Sequence, residues 1–110
     1  MTVKDYILYN MKCKVVHLNK EPFDILIDRR SKWGNPFSHK KGTLAKYIVN
    51  NRKEAIESYK DWILNGEGRH LLNDLHELDG KILGCWCKPK SCHGDILVEI
   101  VNNIKNGINI

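Results

Sequence analysis

Three of the four cysteines in this chain lie in one short segment, GCWCKPKSCHGD, at residues 84–95. His93 and Asp95 belong to the same segment, so thiol, imidazole and carboxylate groups occur close together. Three roles suit such a set: a nucleophilic Cys/His pair, a metal site, or small side chains packed in a core. The spacing and the neighbouring elements must discriminate between them.

The thiol interpretation centres on Cys92, which lies where the last predicted helix begins. Backbone N–H groups and the helix dipole stabilise negative charge there, so we expect a lowered thiol pKa and a nucleophilic Cys92. His93 is then the candidate general acid/base, and Asp95 can orient a histidine or contact a ribose hydroxyl. The same helix start also suits a phosphate, and Cys87 and Gly94 are predicted to contact that ligand.

A zinc site fits the same cysteines less well. Structural zinc takes four ligands in a tetrahedron, and the spacing C-x-C-x4-C-H differs from the usual C-x2-C pairs. Cys92 and His93 are adjacent in the chain, which makes joint ligation of one ion difficult. We therefore expect no metal and no cofactor, and we expect Cys85 to be a buried core residue.

A second candidate loop, DRRSKWGNPF at residues 28–37, follows a predicted strand. The guanidinium group of arginine is a planar fork of donors that matches phosphate or carboxylate oxygens. Arg29 and Arg30 are therefore predicted to hold a phosphate. The alternative is that these arginines pair with acidic side chains at the surface.

Aromatic residues and a tight turn follow the two arginines. Trp33 and Phe37 are predicted to wall a base or ring, and Gly34 allows the backbone to approach a ligand closely. Pro36 biases Asn35 toward an extended backbone, and we count Asn35 among the ligand-binding residues. The alternative is that Trp33 and Phe37 simply fill the core.

Composition indicates a globular protein with an anionic partner. The chain has 110 residues, of which 42% are hydrophobic and 28% charged, as in ordinary soluble domains. No apolar run approaches the roughly 18 residues of a membrane span, and the N-terminal segment lacks a signal-peptide pattern. We expect a cytoplasmic protein, in the host cytoplasm if the gene is viral, with reduced cysteines and no membrane partner. The net charge of +5 favours a small nucleotide-like anion, with nucleic acid as an alternative partner.

Predicted elements place both loops beside strands. Residues 12–20 and 23–30 have strand patterns, and their short connection predicts an antiparallel hairpin. Residues 81–87 form an apolar strand that we expect at the centre of the sheet. Helical patterns and capping signals predict helices at residues 43–49, 51–66, 68–80 and 93–107, followed by a frayed tail or short closing segment.

This order predicts one small α/β domain over residues 1–110, with a mixed β-sheet and flanking helices. The strand at 81–87, the cysteine-rich loop and the last helix form a Rossmann-like β-loop-α unit. Ligands of open α/β sheets lie at the carboxyl ends of strands, near such loops.

The segments IDRRSKWGNPF and GKILGCWCKPKSCHGDIL resemble the motifs of a family of short bacterial, phage and large-virus proteins, domain of unknown function 4326. Its Trp-Gly-Asn-Pro-Phe turn matches residues 33–37, and its Cys-Trp-Cys-x-Pro-x-x-Cys-His-Gly-Asp segment matches residues 85–95 without a gap. The resemblance extends over roughly residues 12–104. It implies a compact α/β domain in which the two motif loops meet at one pocket, and it implies no particular activity.

Three functions stay open at this level. The first is a nucleotide- or nucleoside-binding protein, with hydrolase or transferase activity if the Cys/His pair is catalytic. The second is a non-catalytic, phage-type protein that binds and sequesters its ligand. The third is a zinc-stabilised module that binds nucleic acid. Neither enzymatic activity nor oligomeric state follows from the sequence.

Overall fold

The structure, a computed structural model, describes residues 13–105. The predicted tail after residue 105 and the N-terminal residues 1–12, on which the signal-peptide expectation depends, lie outside the described residues. The elements in chain order are β1 (Lys14–His17), β2 (Ile25–Leu26), β3 (Phe37–Ser38), β4 (Tyr47–Ile48), α1 (Arg52–Asn65), a 3-10 helix (Glu67–Leu78), β5 (Ile82–Cys85) and α2 (His93–Lys105).

The main sheet has the strand order β1-β5-β2, and both outer strands run parallel to β5. Gly84 of β5 pairs with Val16 on one side and with Leu26 on the other. The central position predicted for β5 is thus confirmed. Its apolar sequence explains the position, because a strand that is buried must pair its backbone groups on both edges.

The predicted antiparallel hairpin is wrong, and with it the mixed sheet. β1 and β2 do not pair with each other, since β5 lies between them, and the strand pairs among residues 13–105 are all parallel. The short connection suggested a hairpin, but the long-range pairing with β5 decided the arrangement. The predicted α/β class is confirmed.

A small second sheet replaces the helix predicted at residues 43–49. β3 and β4 pair in parallel, and Tyr47 N donates to Pro36 O at 2.8 Å. The rings of Phe37 and Tyr47 stack with centroids 5.1 Å apart. Helix propensity is a weak preference, and this tertiary pairing overrides it.

Helix α1 begins and ends where its capping residues predicted. The Asn51 side chain accepts a hydrogen bond from Glu54 N at 2.8 Å, as an N-cap does. Gly66 follows the last turn, and its N–H donates to Trp62 O. The segment predicted as the next helix is a 3-10 helix in the structure, with Leu71, Leu75 and Leu78 buried.

Helix α2 confirms the predicted β-loop-α unit and packs against β1. Gly94 in its first turn contacts the sheet directly, because a Cβ there would lie 2.7 Å from Ile27 Cδ1 and 2.8 Å from Val15 Cγ2. Leu97 and Ile100 on the same helix are fully buried. No helix among the described residues is both long and apolar enough to cross a membrane.

Tyr59 of α1 links three parts of the fold. Its side chain is 0% exposed, and its hydroxyl donates to Trp33 O at 2.8 Å. Its ring meets the His93 ring edge-on, with centroids 5.0 Å apart. Burial raises the pKa of Tyr59, so the phenol stays protonated and keeps donating this hydrogen bond.

We predict that Tyr59→Phe lowers the free energy of unfolding by about 1–3 kcal/mol, because the buried Trp33 carbonyl loses its donor. Urea denaturation measures the effect. Tyr47→Phe is the control, since Tyr47 is 38% exposed, and we expect it to stay within about 0.5 kcal/mol of wild type. Equal losses for both variants would contradict the role given to the buried hydroxyl.

Candidate functional site

A cleft of about 570 Å³ lies at the carboxyl ends of β2 and β5. Its lining comes from the chain after β2, from the start of α1 and from the cysteine-rich loop at residues 85–93. The two motif loops therefore border one cavity. This position matches the usual location of ligand sites in open α/β sheets.

The floor of the cleft is a cluster of thiols and one imidazole. One side-chain ligand atom from each of Cys85, Cys92 and His93 lies within 4.8 Å of the other two, and all three residues are buried. Cys87, which is half-buried, lies beside this cluster, and its backbone N–H donates to Cys85 Sγ, with N and S 3.5 Å apart. The tertiary structure thus gathers the cysteines that the sequence separates by up to seven positions.

Cys92 caps helix α2. Its N–H donates to Asp95 Oδ2 at 3.0 Å, and the Asp95 N–H donates to Cys92 O at 3.0 Å. The Asp95 carboxylate thus supplies the return half of a capping box, since it satisfies a backbone N–H at the helix start. Asp95 also pairs with Lys88 and does not line the cleft. The structure therefore gives Asp95 a capping role in place of the predicted catalytic one.

The thiol pKa values differ from the sequence expectation. Hydrogen bonds to Cys85 and Cys87, together with burial, raise the pKa of Cys92 despite its place at a helix start. Hydrogen bonds from Cys85 and Cys92, with a contribution from Arg52, lower the pKa of Cys87. Because thiolates so close together repel, ionisation of one of these thiols suppresses ionisation of the others. The opposite pKa directions make Cys87 more readily ionised than Cys92.

His93 is held in one tautomer. Its Nε2 lies 2.6 Å from Ile27 O, and since a carbonyl only accepts, Nε2 carries the proton. The Nδ1 lone pair is then the free coordinating atom of the ring. Burial lowers the pKa of His93, so the ring is neutral. A buried ring with one nitrogen bound to a carbonyl is poorly suited to the predicted general acid/base role.

Arg29 and Asn35 line the cleft and also hold the first loop in shape. Arg29 donates from Nε to Asn35 O at 2.7 Å and from Nη2 to Phe37 O at 2.9 Å. Asn35 donates to Ala55 O and accepts from Phe37 N. These bonds attach the turn to helix α1 and place the Phe37 side chain on the cleft wall.

Five other predicted site residues do not line the cleft: Arg30, Trp33, Gly34, Gly94 and Asp95. Arg30 is 60% exposed and pairs with Asp28 at 2.6 Å. Trp33 is 2% exposed within the core, so it cannot stack a ligand. A Cβ on Gly34 would lie 2.5 Å from Arg29 Cα, so close packing of the turn explains this glycine.

Trp86 lines the cleft, although it was not among the site residues predicted from the sequence. It is 53% exposed, and its Nε1 donates to Asp28 Oδ2 at 3.1 Å. The sequence did carry a signal of this exposure, because neighbouring residues of a strand point to opposite sides of the sheet and Cys85 points inward. Arg52, the first residue of α1, also lines the cleft, and its local sequence gave no such signal.

The lining has a strongly positive balance. Its cationic residues are Arg29, Lys40, Arg52, Lys88 and Lys90, against one carboxylate, Asp28. The Asp28 carboxylate is already neutralised by Arg30. Burial works against its ionisation, but hydrogen bonds from Arg30 and Trp86 prevail and lower its pKa. The cleft is therefore suited to an anion.

Comparisons with known proteins agree with the motif resemblance. The family described as Domain of unknown function (DUF4326) matches residues 11–103. The "Uncharacterized 12.4 kDa protein in nrdA-td intergenic region" of Enterobacteria phage T4 is 39% identical over 94 residues, 84% of this chain and 80% of that protein. "Uncharacterized protein R718" of Acanthamoeba polyphaga mimivirus is 31% identical over 83 residues, 68% of this chain and 56% of that protein. No solved structure matches.

We predict that Arg29→Ala and Arg30→Ala differ sharply in stability. Arg29→Ala removes two charge-assisted hydrogen bonds to loop carbonyls and should cost about 2–3 kcal/mol of unfolding free energy. Arg30→Ala removes an exposed ion pair that solvent screens, so we expect the free energy of unfolding to stay close to that of wild type. Chemical denaturation of both variants measures the difference. Similar losses would show that Arg29 does not hold the loop as described.

Proposed function

We propose that this protein, which belongs to the DUF4326 family, binds a small phosphate-bearing ligand of the nucleotide class in the basic cleft. The observation that supports this most directly is the charge of the lining, with five cationic residues, of which Lys88 pairs with Asp95, and one carboxylate that pairs with Arg30. The volume of about 570 Å³ lies within the usual range of small-molecule sites.

The cleft also offers surfaces for a base or nucleoside ring. Trp86 presents an exposed indole, and Phe37 lies on the wall formed by the first loop. Aromatic faces stack bases without strong sequence preference, at about 1–3 kcal/mol per base. Hydroxyl groups of Ser38, Thr43 and Ser91 add neutral hydrogen-bonding partners for a sugar or phosphate. We infer that Trp86 takes the stacking role predicted for Trp33.

The proposal is one of binding and omits the Cys92–His93 reaction. Cys92 is 2% exposed with a raised thiol pKa, and the His93 proton at Nε2 is committed to Ile27 O. A nucleophile must reach its substrate as a thiolate, and these two residues do not supply one. Recovery of chemically unaltered ligand after incubation supports binding alone, whereas product formation supports a hydrolase or transferase.

The proposed compartment is the cytoplasm, of the host where the gene is viral. The described cysteines are unpaired, and three of them share one cluster. A reducing compartment keeps such neighbouring thiols from forming disulfides.

We predict that nucleoside mono- and diphosphates bind the wild-type protein and that Arg52→Gln weakens their affinity about tenfold, a loss of about 1.4 kcal/mol. Isothermal titration calorimetry with a panel of purine and pyrimidine nucleotides measures this. The matched control is Lys53→Gln, because Lys53 is the next residue of α1, carries the same charge and does not line the cleft. We expect Lys53→Gln to bind as wild type does.

Three further ligands sharpen the test. Inorganic phosphate and the unphosphorylated nucleosides separate the phosphate contribution from the ring contribution. A short single-stranded oligonucleotide tests nucleic acid as the alternative anion, and preference for it over every mononucleotide would replace the proposal. Absence of binding by the whole panel, or equal weakening by Arg52→Gln and Lys53→Gln, would contradict it.

A further inference from the structure

The buried cluster below the cleft has a composition that anion binding does not explain. Its members are the thiols of Cys85 and Cys92 and the imidazole of His93, with Cys87 beside them, and we call these four residues the Cys/His cluster. The basic side chains of the cleft suffice to bind a phosphate, and thiols contribute little to phosphate binding. We propose that the Cys/His cluster binds a zinc ion through Cys85, Cys92 and His93, with Cys87 as the fourth ligand.

The distances suit such a centre. The ligand atoms of Cys85, Cys92 and His93 lie within 4.8 Å of one another. Tetrahedral zinc with Zn–S bonds of about 2.3 Å and Zn–N bonds of about 2.0 Å places its ligand atoms about 3.5–3.8 Å apart. The cluster therefore needs only a small contraction around the ion. Thiolate and imidazole ligands favour zinc and disfavour Mg²⁺ and Ca²⁺, which prefer oxygen.

The second coordination shell is present as well. A metal-ligating histidine usually donates its other ring N–H to a carbonyl or carboxylate, which fixes the ring and the tautomer. The Nε2 of His93 lies 2.6 Å from Ile27 O, which leaves Nδ1 for the metal. The Tyr59 ring packs edge-on against the imidazole and restricts its rotation further.

The ligands are mounted on rigid elements. Cys85 ends the central strand β5, and Cys92 and His93 begin helix α2. The capping bonds of Asp95 hold that helix start in place. Adjacency in the chain spoke against joint ligation by Cys92 and His93, but the structure brings one ligand atom of each within reach of a single ion. The four residues between Cys87 and Cys92 return the chain to the same point.

The first experiment measures metal in the full chain, purified without chelator, by inductively coupled plasma mass spectrometry for zinc, iron, copper and nickel. We expect about one zinc per chain in the wild type. Cys85→Ser, Cys92→Ser and His93→Gln should each lose most of it. Cys13→Ser should retain it, because Cys13 is a buried free cysteine outside the Cys/His cluster. Stoichiometric iron in place of zinc, or equal zinc loss in Cys13→Ser, would overturn the proposal.

A second experiment needs no variant and therefore does not depend on whether the variants fold. The wild-type protein is stripped with a strong chelator, and its thiols are alkylated with and without added Zn²⁺, then mapped by peptide mass spectrometry. We expect zinc to slow alkylation of Cys85, Cys87 and Cys92 at least tenfold and to leave Cys13 unchanged. No protection by micromolar Zn²⁺, or a disulfide within the cluster in freshly purified protein, would overturn the proposal. Neither experiment involves a nucleotide, so the result for zinc is independent of the proposed anionic ligand.

Discussion

The position of β5 between two parallel partners is the constraint on which the site depends. Because β1, β5 and β2 run in one direction, their carboxyl ends meet at one edge of the sheet. The first motif loop leaves from β2 and the cysteine-rich loop leaves from β5, so both arrive at that edge. An antiparallel hairpin of β1 and β2 would have reversed one strand and left the central strand without its second partner.

The residues around the cleft divide into those that build it and those that face a ligand. Arg29 and Asn35 do both, since their side chains line the cleft while their hydrogen bonds hold the first loop. Arg52 and Trp86 contribute fewer bonds to the fold and are open to the cleft. A metal ion at the floor would add positive charge below these residues and would join the strand end to the helix start. The proposed anion site and the proposed zinc centre are therefore physically compatible.

The sequence by itself determined the local elements and the chemical composition of the site. The Asn51 cap, the helical spacing of apolar residues and Gly66 sufficed for α1, because these signals act within a few residues of each other. The apolar run of β5 predicted its central place. The two motifs predicted the family and the two loops that border the cleft, since a contiguous motif does not depend on the arrangement of the rest of the chain.

Only the tertiary structure decided strand direction, which tryptophan is exposed, and which arginine is structural. β2 and β1 had to pair with a strand 58 and 68 residues further along the chain, and no local pattern encodes that partner. Trp33 and Trp86 are both flanked by motif residues, but packing buries the first and exposes the second. The raised pKa of Cys92 also depends on the tertiary structure, because the thiols that raise it come from the end of β5 and the following loop. Long-range contacts affect strand pairing, burial and pKa values as strongly as local contacts do. The residues that form them are distant in the sequence, however, so the partners can be assigned only once the fold is known.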